Sequence, residues 1–239
     1  MAAEDDLYFR QLLSGRDFAT RDPAAAQMVN FAYLIGSRSS GEAWIVDPAW
    51  DVDGLLAAAD EDGMRVIAAL ATHFHPDHVG GDLFGTPVEG IARLLERRPI
   101  RVYAQHEEVP WIRETTGVSA GDLEPVRGGD RIRTGDVEIT FLHTPGHSPG
   151  SQCFLVRDRL VAGDTLFLQG CGRVDLPGAD PEAMYHSLTG PLAQLPDDTV
   201  LFPGHAYDPR PFATLGENRR ENYVLQVRSL EDWMRMMGA

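Results

Sequence analysis

His73-Phe74-His75-Pro76-Asp77-His78 places four strong metal ligands within six residues, and no packing requirement asks for that density. Neutral imidazoles and carboxylates are the donors that borderline divalent cations such as zinc, manganese and iron take up. Just upstream, residues 65–72 form an apolar run of strand length with no polar alternation, which predicts a buried strand. Pro76 disfavours the helical region for His75, so His73 and His75 are expected to be extended and to point the same way. Pro76 then opens a helical turn carrying Asp77 and His78. Two ligands at the strand exit and two at the helix entry face one space. The bland alternative is a solvated histidine cluster on the surface.

The rest of the chain argues against that alternative. His147 lies in Thr144-Pro145-Gly146-His147-Ser148-Pro149-Gly150, a tight turn after the strand-like run 137–142. Asp164 ends a second apolar run, 159–164, and His205 follows a third, 199–202, through Pro203-Gly204. Functional side chains on loops at strand ends, over a rigid sheet, are the expected arrangement. The remaining histidines read differently. His106, beside Glu107 and Glu108, reads as exposed, and His186 sits within a helical pattern. His143 precedes the His147 turn and is a candidate for supporting it. Gly146-His147-Ser148-Pro149-Gly150 also fits the Gly-x-Ser-x-Gly pattern, but that motif needs a helix after the serine. Residues 151–156 read as a strand instead, so Ser148 is not read as a nucleophile.

The order His-x-His-x-Asp-His, Gly-His, Gly-Asp, Gly-His resembles the metallo-β-lactamase superfamily, from about Phe31 to Tyr207. The resemblance implies an α/β (α+β) fold: a four-layer αβ/βα sandwich of two mixed β-sheets flanked by helices, with metals at one edge. It assigns His73, His75 and His147 to one metal, and Asp77, His78 and His205 to a second. Asp164 would bridge the two. The implied cofactors are two divalent metal ions, zinc first, with iron or manganese as alternatives. Such cations lower the pKa of a bound water from about 15.7 to about 7, giving a hydroxide at neutral pH. Asp77 and Asp164 are then the catalytic carboxylates, and metal-assisted hydrolysis is the reaction class. Cys171 lies close by in sequence but has no ligand role in the resemblance.

Within the superfamily, Gly170-Cys171-Gly172-Arg173 followed by residues 180–184 resembles the hydroxyacylglutathione hydrolases, which open thioesters. Gly204-His205-Ala206-Tyr207 resembles that family's Gly-His-Glu-Tyr. Arg173 and Tyr207 thereby become substrate-binding candidates, for a small molecule such as a glutathione conjugate. Two departures point elsewhere: Asp175 stands where that family has an aromatic, and the 34 residues after His205 are too few for its full glutathione-gripping helical domain. Both features look like the persulfide dioxygenases, which use a single Fe(II). The expected function is thus a thioester hydrolase, with the dioxygenase as alternative and a non-catalytic metal-binding module as a third reading.

Composition agrees with an enzyme acting on small molecules. The 239 residues are 43% hydrophobic, and no linker or repeat divides them, so one domain over 1–239 is expected. A net charge of −15 disfavours nucleic acid and anionic membranes as partners. The acidic start, Met1-Ala2-Ala3-Glu4-Asp5-Asp6, is no secretory or transit signal, and two cysteines imply no disulfide framework. The expected location is cytoplasmic. Strands are expected at 31–36, 43–46, 100–104, 137–142, 151–156, 159–163 and 199–202. Helices are expected at 52–59, 86–97, 106–116, 181–192, 217–226 and 230–237. The stretch 82–98 is read as a helical insertion near the site, and about 212–239 as a short C-terminal helical segment.

Overall fold

The computed structural model describes residues 6–238, so the start through Asp5, on which the reading of the leader partly rests, lies outside it. The first half of the chain runs β1 (Leu7–Leu13), α1 (Pro23–Met28), β2 (Phe31–Ser37), β3 (Glu42–Val46), α2 (Val52–Glu61) and β4 (Arg65–Leu70). It continues through α3 (Pro76–Val79), β5 (Gly81–Leu83), β6 (Thr86–Val88), α4 (Ile91–Arg97), β7 (Arg101–Gln105), α5 (Val109–Thr116) and β8 (Leu123–Val126). The second half runs β9 (Arg131–Thr134), β10 (Val137–His143), β11 (Gln152–Val156), β12 (Arg159–Val161), α6 (Pro181–Thr189), β13 (Val200–Phe202), β14 (Ala213–Thr214), α7 (Leu215–Glu221) and α8 (Leu230–Met237).

Two six-stranded sheets result, ordered β1-β2-β3-β4-β7-β8 and β14-β13-β12-β11-β10-β9. Both are mixed. In the first, β1, β2 and β3 pair antiparallel while β4, β7 and β8 add in parallel. In the second, only β12 and β13 are parallel. The period of two along each strand sorts side chains between layers. Phe31, Tyr33 and Ile35 of β2 face the other sheet and meet Phe141, Phe154 and Phe202. Ala32 and Leu34 face away and pack under α2, α4 and α5 with Leu55, Ile91 and Ile112. The second sheet does the same: Cys153, Leu160 and Leu201 turn outward against Met184, Leu188 and Trp233 of α6 and α8. All seven residues of β2 are buried, as expected for a strand covered on both faces. Three apolar cores separate four layers, the expected αβ/βα sandwich.

Some local expectations need correction. The helix expected over 86–97 begins only at Ile91. Gly81–Leu83 and Thr86–Val88 form a hairpin that belongs to neither large sheet. Gly85 N donates to Asp82 Oδ1 at 2.7 Å and closes its two-residue turn. Gly90 then lies against the chain at Val79–Gly80, where a Cβ would come within 2.1 Å of the Val79 carbonyl oxygen. The insertion is therefore half hairpin, half helix. The helix expected from His106 starts at Val109, because His106–Glu108 form a turn with Glu108 N on Gln105 O. The helix expected over 217–226 stops at Glu221. Asn222 leaves the helical region and its side chain caps a short 3₁₀ turn, Tyr223–Leu225. Strands β1, β8, β9 and β14 and helix α1 come in addition to the expected elements. Among the described residues, no helix is long and apolar enough to cross a membrane.

The C-terminal helix is integral to the outer layer. Trp233 is fully buried and its indole N–H donates to Pro181 O at 2.7 Å. Trp233→Ala should cost about 3–5 kcal/mol, read from the midpoint of urea unfolding. A loss below about 1 kcal/mol would mean that α8 contributes little to the fold.

Candidate metal centre

β4 ends at Leu70, and the chain crosses the sheet edge as an extended segment through His75, whose φ of −62° and ψ of 144° match the effect of the following proline. Pro76 opens α3, which carries Asp77 and His78 inward. The other ligands arrive from the second sheet. His147 sits in the turn between β10 and β11, Asp164 follows β12, and His205 follows β13. The halves are stitched together here: Phe31 N donates to Gly204 O at 2.8 Å, and Asn30 bridges to His205.

All seven candidate ligands converge. His73, His75 and His147 form one set whose ligand atoms lie within 4.8 Å of one another, and Asp77, His78 and His205 form another. Asp164 lies between them. Its Oδ2 is 3.7 Å from His147 Nε2 and 3.4 Å from His205 Nε2, and its Oδ1 is 3.4 Å from His78 Nε2. Two glycines make room for it. A Cβ on Gly204 would lie 2.4 Å from Asp164 Oδ1, and one on Gly172 would meet both Asp164 O, at 2.2 Å, and the His147 ring.

The hydrogen bonds around the ligands decide which ring nitrogen is free. His147 Nδ1 lies 2.8 Å from Arg173 O, and His205 Nδ1 lies 2.8 Å from Met28 O. A carbonyl can only accept, so both Nδ1 atoms carry the proton and both Nε2 lone pairs face inward. His78 Nδ1 is likewise held by Asp47 Oδ2 at 2.9 Å. His78 Nε2 and His205 Nε2 then stand 3.2 Å apart. At that distance a shared proton or a cation must lie between the two nitrogens. Further in, His73 Nε2 and Asp164 Oδ1 are buried without a hydrogen-bond partner. Orphaned acceptors inside an imidazole and carboxylate cage fit a divalent cation, because a backbone carbonyl or carboxylate behind each ligand is the usual support for metal-bound histidine.

Electrostatics point the same way. Burial works against charge on His78, but Asp77, Asp164 and Asp47 outweigh it and lift its pKa to about 10. His205 is also raised against burial, chiefly by Asp164. Burial would raise the Asp164 and Asp77 carboxyls, yet the His205 and His78 imidazoles hold both below the usual carboxylate range. His73 is driven well below the ordinary imidazole value by burial and by its neighbours' charge, and His75 falls to about 4 for the same reasons. The interior favours positive charge at its centre and neutral histidine at its wall.

Several residues that position the site escaped the sequence reading. Asp47, at the end of β3, accepts from Thr72 N at 2.7 Å and Thr72 Oγ1 at 2.6 Å besides holding His78. It carries the same signal as Asp164, an acid ending an apolar strand, and could have been found by it. Asn30 donates to Asp77 Oδ2 at 3.0 Å and accepts from Trp50 Nε1 at 3.0 Å. Glu108, which carries no such signal, is completely buried. Its carboxylate accepts from Phe74 N at 2.7 Å, Ser148 Oγ at 2.7 Å and Gly150 N at 2.6 Å, tying the His73–His75 segment to the His147 turn. Ser148 is occupied there, which agrees with reading it as no nucleophile.

His143 supports the same turn, with Nε2 3.0 Å from Pro149 O, while His106 and His186 lie on the surface. Cys171 is outside every ligand set, and burial pushes its thiol up to about 12, so it is a neutral group. Tyr207 is half exposed and stacks on the His205 ring at 4.7 Å and 5°. Arg173 is exposed and makes a two-point pair with Asp175, both contacts 2.8 Å.

Residues 27–205 match the Metallo-beta-lactamase superfamily. Human mitochondrial persulfide dioxygenase ETHE1 is 30% identical over 94% of this chain and 82% of its own length. Hydroxyacylglutathione hydrolase of Polaromonas sp. (strain JS666 / ATCC BAA-500) is 36% identical over 74% of this chain, but the match spans only 62% of that protein. Among solved structures, ETHE1 from Myxococcus xanthus aligns with a TM-score of 0.78 at 30% identity, covering 97% of this chain and 90% of its own. The chain belongs to the metallo-beta-lactamase superfamily.

Proposed function

We propose that the protein is a dinuclear metal-dependent hydrolase that opens a thioester or a related acyl compound. The observation that carries this reading is the second ligand set. His78 and His205 turn their Nε2 atoms to within 3.2 Å of each other beside Asp77, each imidazole braced from behind as fully as His147 in the first set. In this reading His73, His75 and His147 hold one cation, Asp77, His78 and His205 hold the other, and Asp164 reaches both. Zinc is the first candidate, with iron or manganese as alternatives. Cations held there would supply a water acidified to a pKa of about 7 and a Lewis acid for the substrate carbonyl.

The side chains do the rest. Asp77 is kept ionised by its imidazole neighbours and aimed by Asn30, so it is the group placed to take the proton that the attacking water loses. Asp164 keeps its charge between the two ligand sets and fixes their spacing. Tyr207, fastened to His205 by stacking, and Arg173 stand at the rim as substrate contacts. The substrate is a small molecule, and neither nucleic acid nor a membrane suits so acidic a chain. A cytoplasmic setting fits two cysteines that are both free.

A second reading, a mononuclear iron persulfide dioxygenase, is favoured by Asp175 two residues after Arg173 and by the likeness to ETHE1 over nearly the whole chain. The two readings part on oxygen. The zinc-loaded protein should cleave thioesters in an anaerobic assay. An inert zinc form, with an Fe(II) form that consumes oxygen in the presence of glutathione persulfide, would establish the second reading instead.

The metal stoichiometry gives another test. Asp164→Ala should lose both ions, His205→Ala chiefly one, and Cys171→Ser neither, measured as metal per chain by elemental analysis. Full occupancy after Asp164→Ala would refute the bridging role, and loss of an ion in Cys171→Ser would refute the ligand assignment.

A further inference from the structure

The ligand cluster opens into a cavity of about 820 Å³. Small-molecule sites span roughly 300–1,000 Å³ and are predominantly apolar, with a few polar groups that fix orientation. Here the polar groups are the ligands, with Asp82, Gln169, Arg173, Tyr207 and Tyr223 beside them. The remainder of the lining includes Phe74, Leu83, Phe84, Trp111, Leu176 and Pro177. Phe74 and Trp111 pack ring against ring at 4.9 Å, beginning directly between the two ligands His73 and His75.

Phe84 is the unusual member. It occupies the tip of the β5–β6 hairpin with φ +53°, followed by Gly85 at φ +86°. Two successive positive φ values make the turn that favours Asn-Gly or Gly-Gly, because a bulky side chain is strained in the left-handed region. The chain nonetheless puts a phenylalanine there and leaves it 99% exposed. Hydrophobic burial cannot account for that placement, since the ring buries nothing. Strained residues cluster at ligand clamps, where the cost is offset by function. The ring stands at the edge of the cavity that holds the ligand cluster.

Charge completes the argument. Among the described residues lining the cavity, Arg173 has the only guanidinium or ammonium group, and its two-point pair with Asp175 already matches that charge. Asp77, Asp82 and Asp164 are also on the lining. Asp77 and Asp164 belong to the ligand sets, so away from the centre a carboxylated arm meets Asp82 and finds no unpaired cation.

We infer that the substrate is an acyl thioester or ester with a long, uncharged apolar or aromatic arm, and that Phe84 is a specificity residue which covers that arm against Phe74 and Trp111. This inference rests on the acyl-hydrolase reading and replaces the glutathione conjugate as the expected substrate class.

The test uses the zinc-loaded full chain and two substrate series. N-acetylcysteamine thioesters of acetate and hexanoate are neutral and differ by four methylenes, while S-lactoylglutathione supplies the charged comparison. A fully buried methylene is worth about fourfold in binding, so partial burial should raise kcat/KM by on the order of 10- to 100-fold from acetyl to hexanoyl. Phe84→Asn suits the turn better than the native residue, so it should fold, and it should cut the hexanoyl-to-acetyl ratio at least about fivefold. Binding of the non-hydrolysable thioethers S-hexyl-N-acetylcysteamine and S-hexylglutathione, by calorimetry, reads the same preference without turnover. A neutral thioether that binds more tightly, and loses that advantage in Phe84→Asn, supports the inference even if no thioester is cleaved, in which case only the hydrolase reading fails. Efficient hydrolysis with no gain from acetyl to hexanoyl, a preference for S-lactoylglutathione, or an unchanged ratio in Phe84→Asn would overturn the inference and leave the hydrolase reading standing.

Discussion

Carboxylates placed among imidazoles, away from water, impose the organisation seen here. Asp77 and Asp164 cannot be enclosed as bare anions, because transferring an unpaired charge from water into a protein interior is too expensive. They can be enclosed if positive charge sits among them. Five imidazoles with their free nitrogens turned inward define where that charge belongs. Every loop around the cluster is then constrained by its ligand, and each loop leaves a strand end at the same edge of the sandwich. The two sheets must therefore be held in one relative register, which the bond from Phe31 N to Gly204 O and the aromatic layer between the sheets accomplish.

Holding the ligands falls to residues that never touch the centre. Asp47 orients His78 and closes on Thr72. Glu108 joins the first ligand segment to the His147 turn by accepting three hydrogen bonds on one buried carboxyl group. Asn218 and Asn222 reach from the C-terminal segment to the carbonyls of Phe167, Leu168 and Gly170, and so brace the loop that carries Cys171 and Arg173. The site is thus supported from α5, from β3 and from α7, three elements distant in sequence.

What could be read from the sequence follows from where the information lies. The ligands are short-range signals: a residue type, a turn and an apolar run, all within ten positions. The same is true of β2, β4, β10 and α8, whose patterns are strong. Glu108 could not be read that way, because Glu107-Glu108 after a histidine is indistinguishable from a solvated helix start until Gly150 and Ser148 arrive from 40 residues away. The helix expected over 86–97 failed for a local reason. Its apolar spacing continues smoothly from Val88 to Leu95, yet the left-handed pair Phe84-Gly85 folds the first part back on Gly81–Leu83. β14, two residues long, carries no pattern at all and exists because β13 offers an edge.

The hairpin's independence from both large sheets has a consequence for how such a protein can change. β5 and β6 pair only with each other, and Leu83 and Val88 are the side chains they give to the core under α2, α4 and α5. Within the hairpin, the buried Val88 serves the fold while the exposed tip does not. New side chains can be sampled at the Phe84 tip, which buries nothing, while Gly80 and Gly90 stay packed tightly against each other. That segment is where a designer would graft a new preference, and where relatives with one scaffold could diverge in diet while keeping the same furnace.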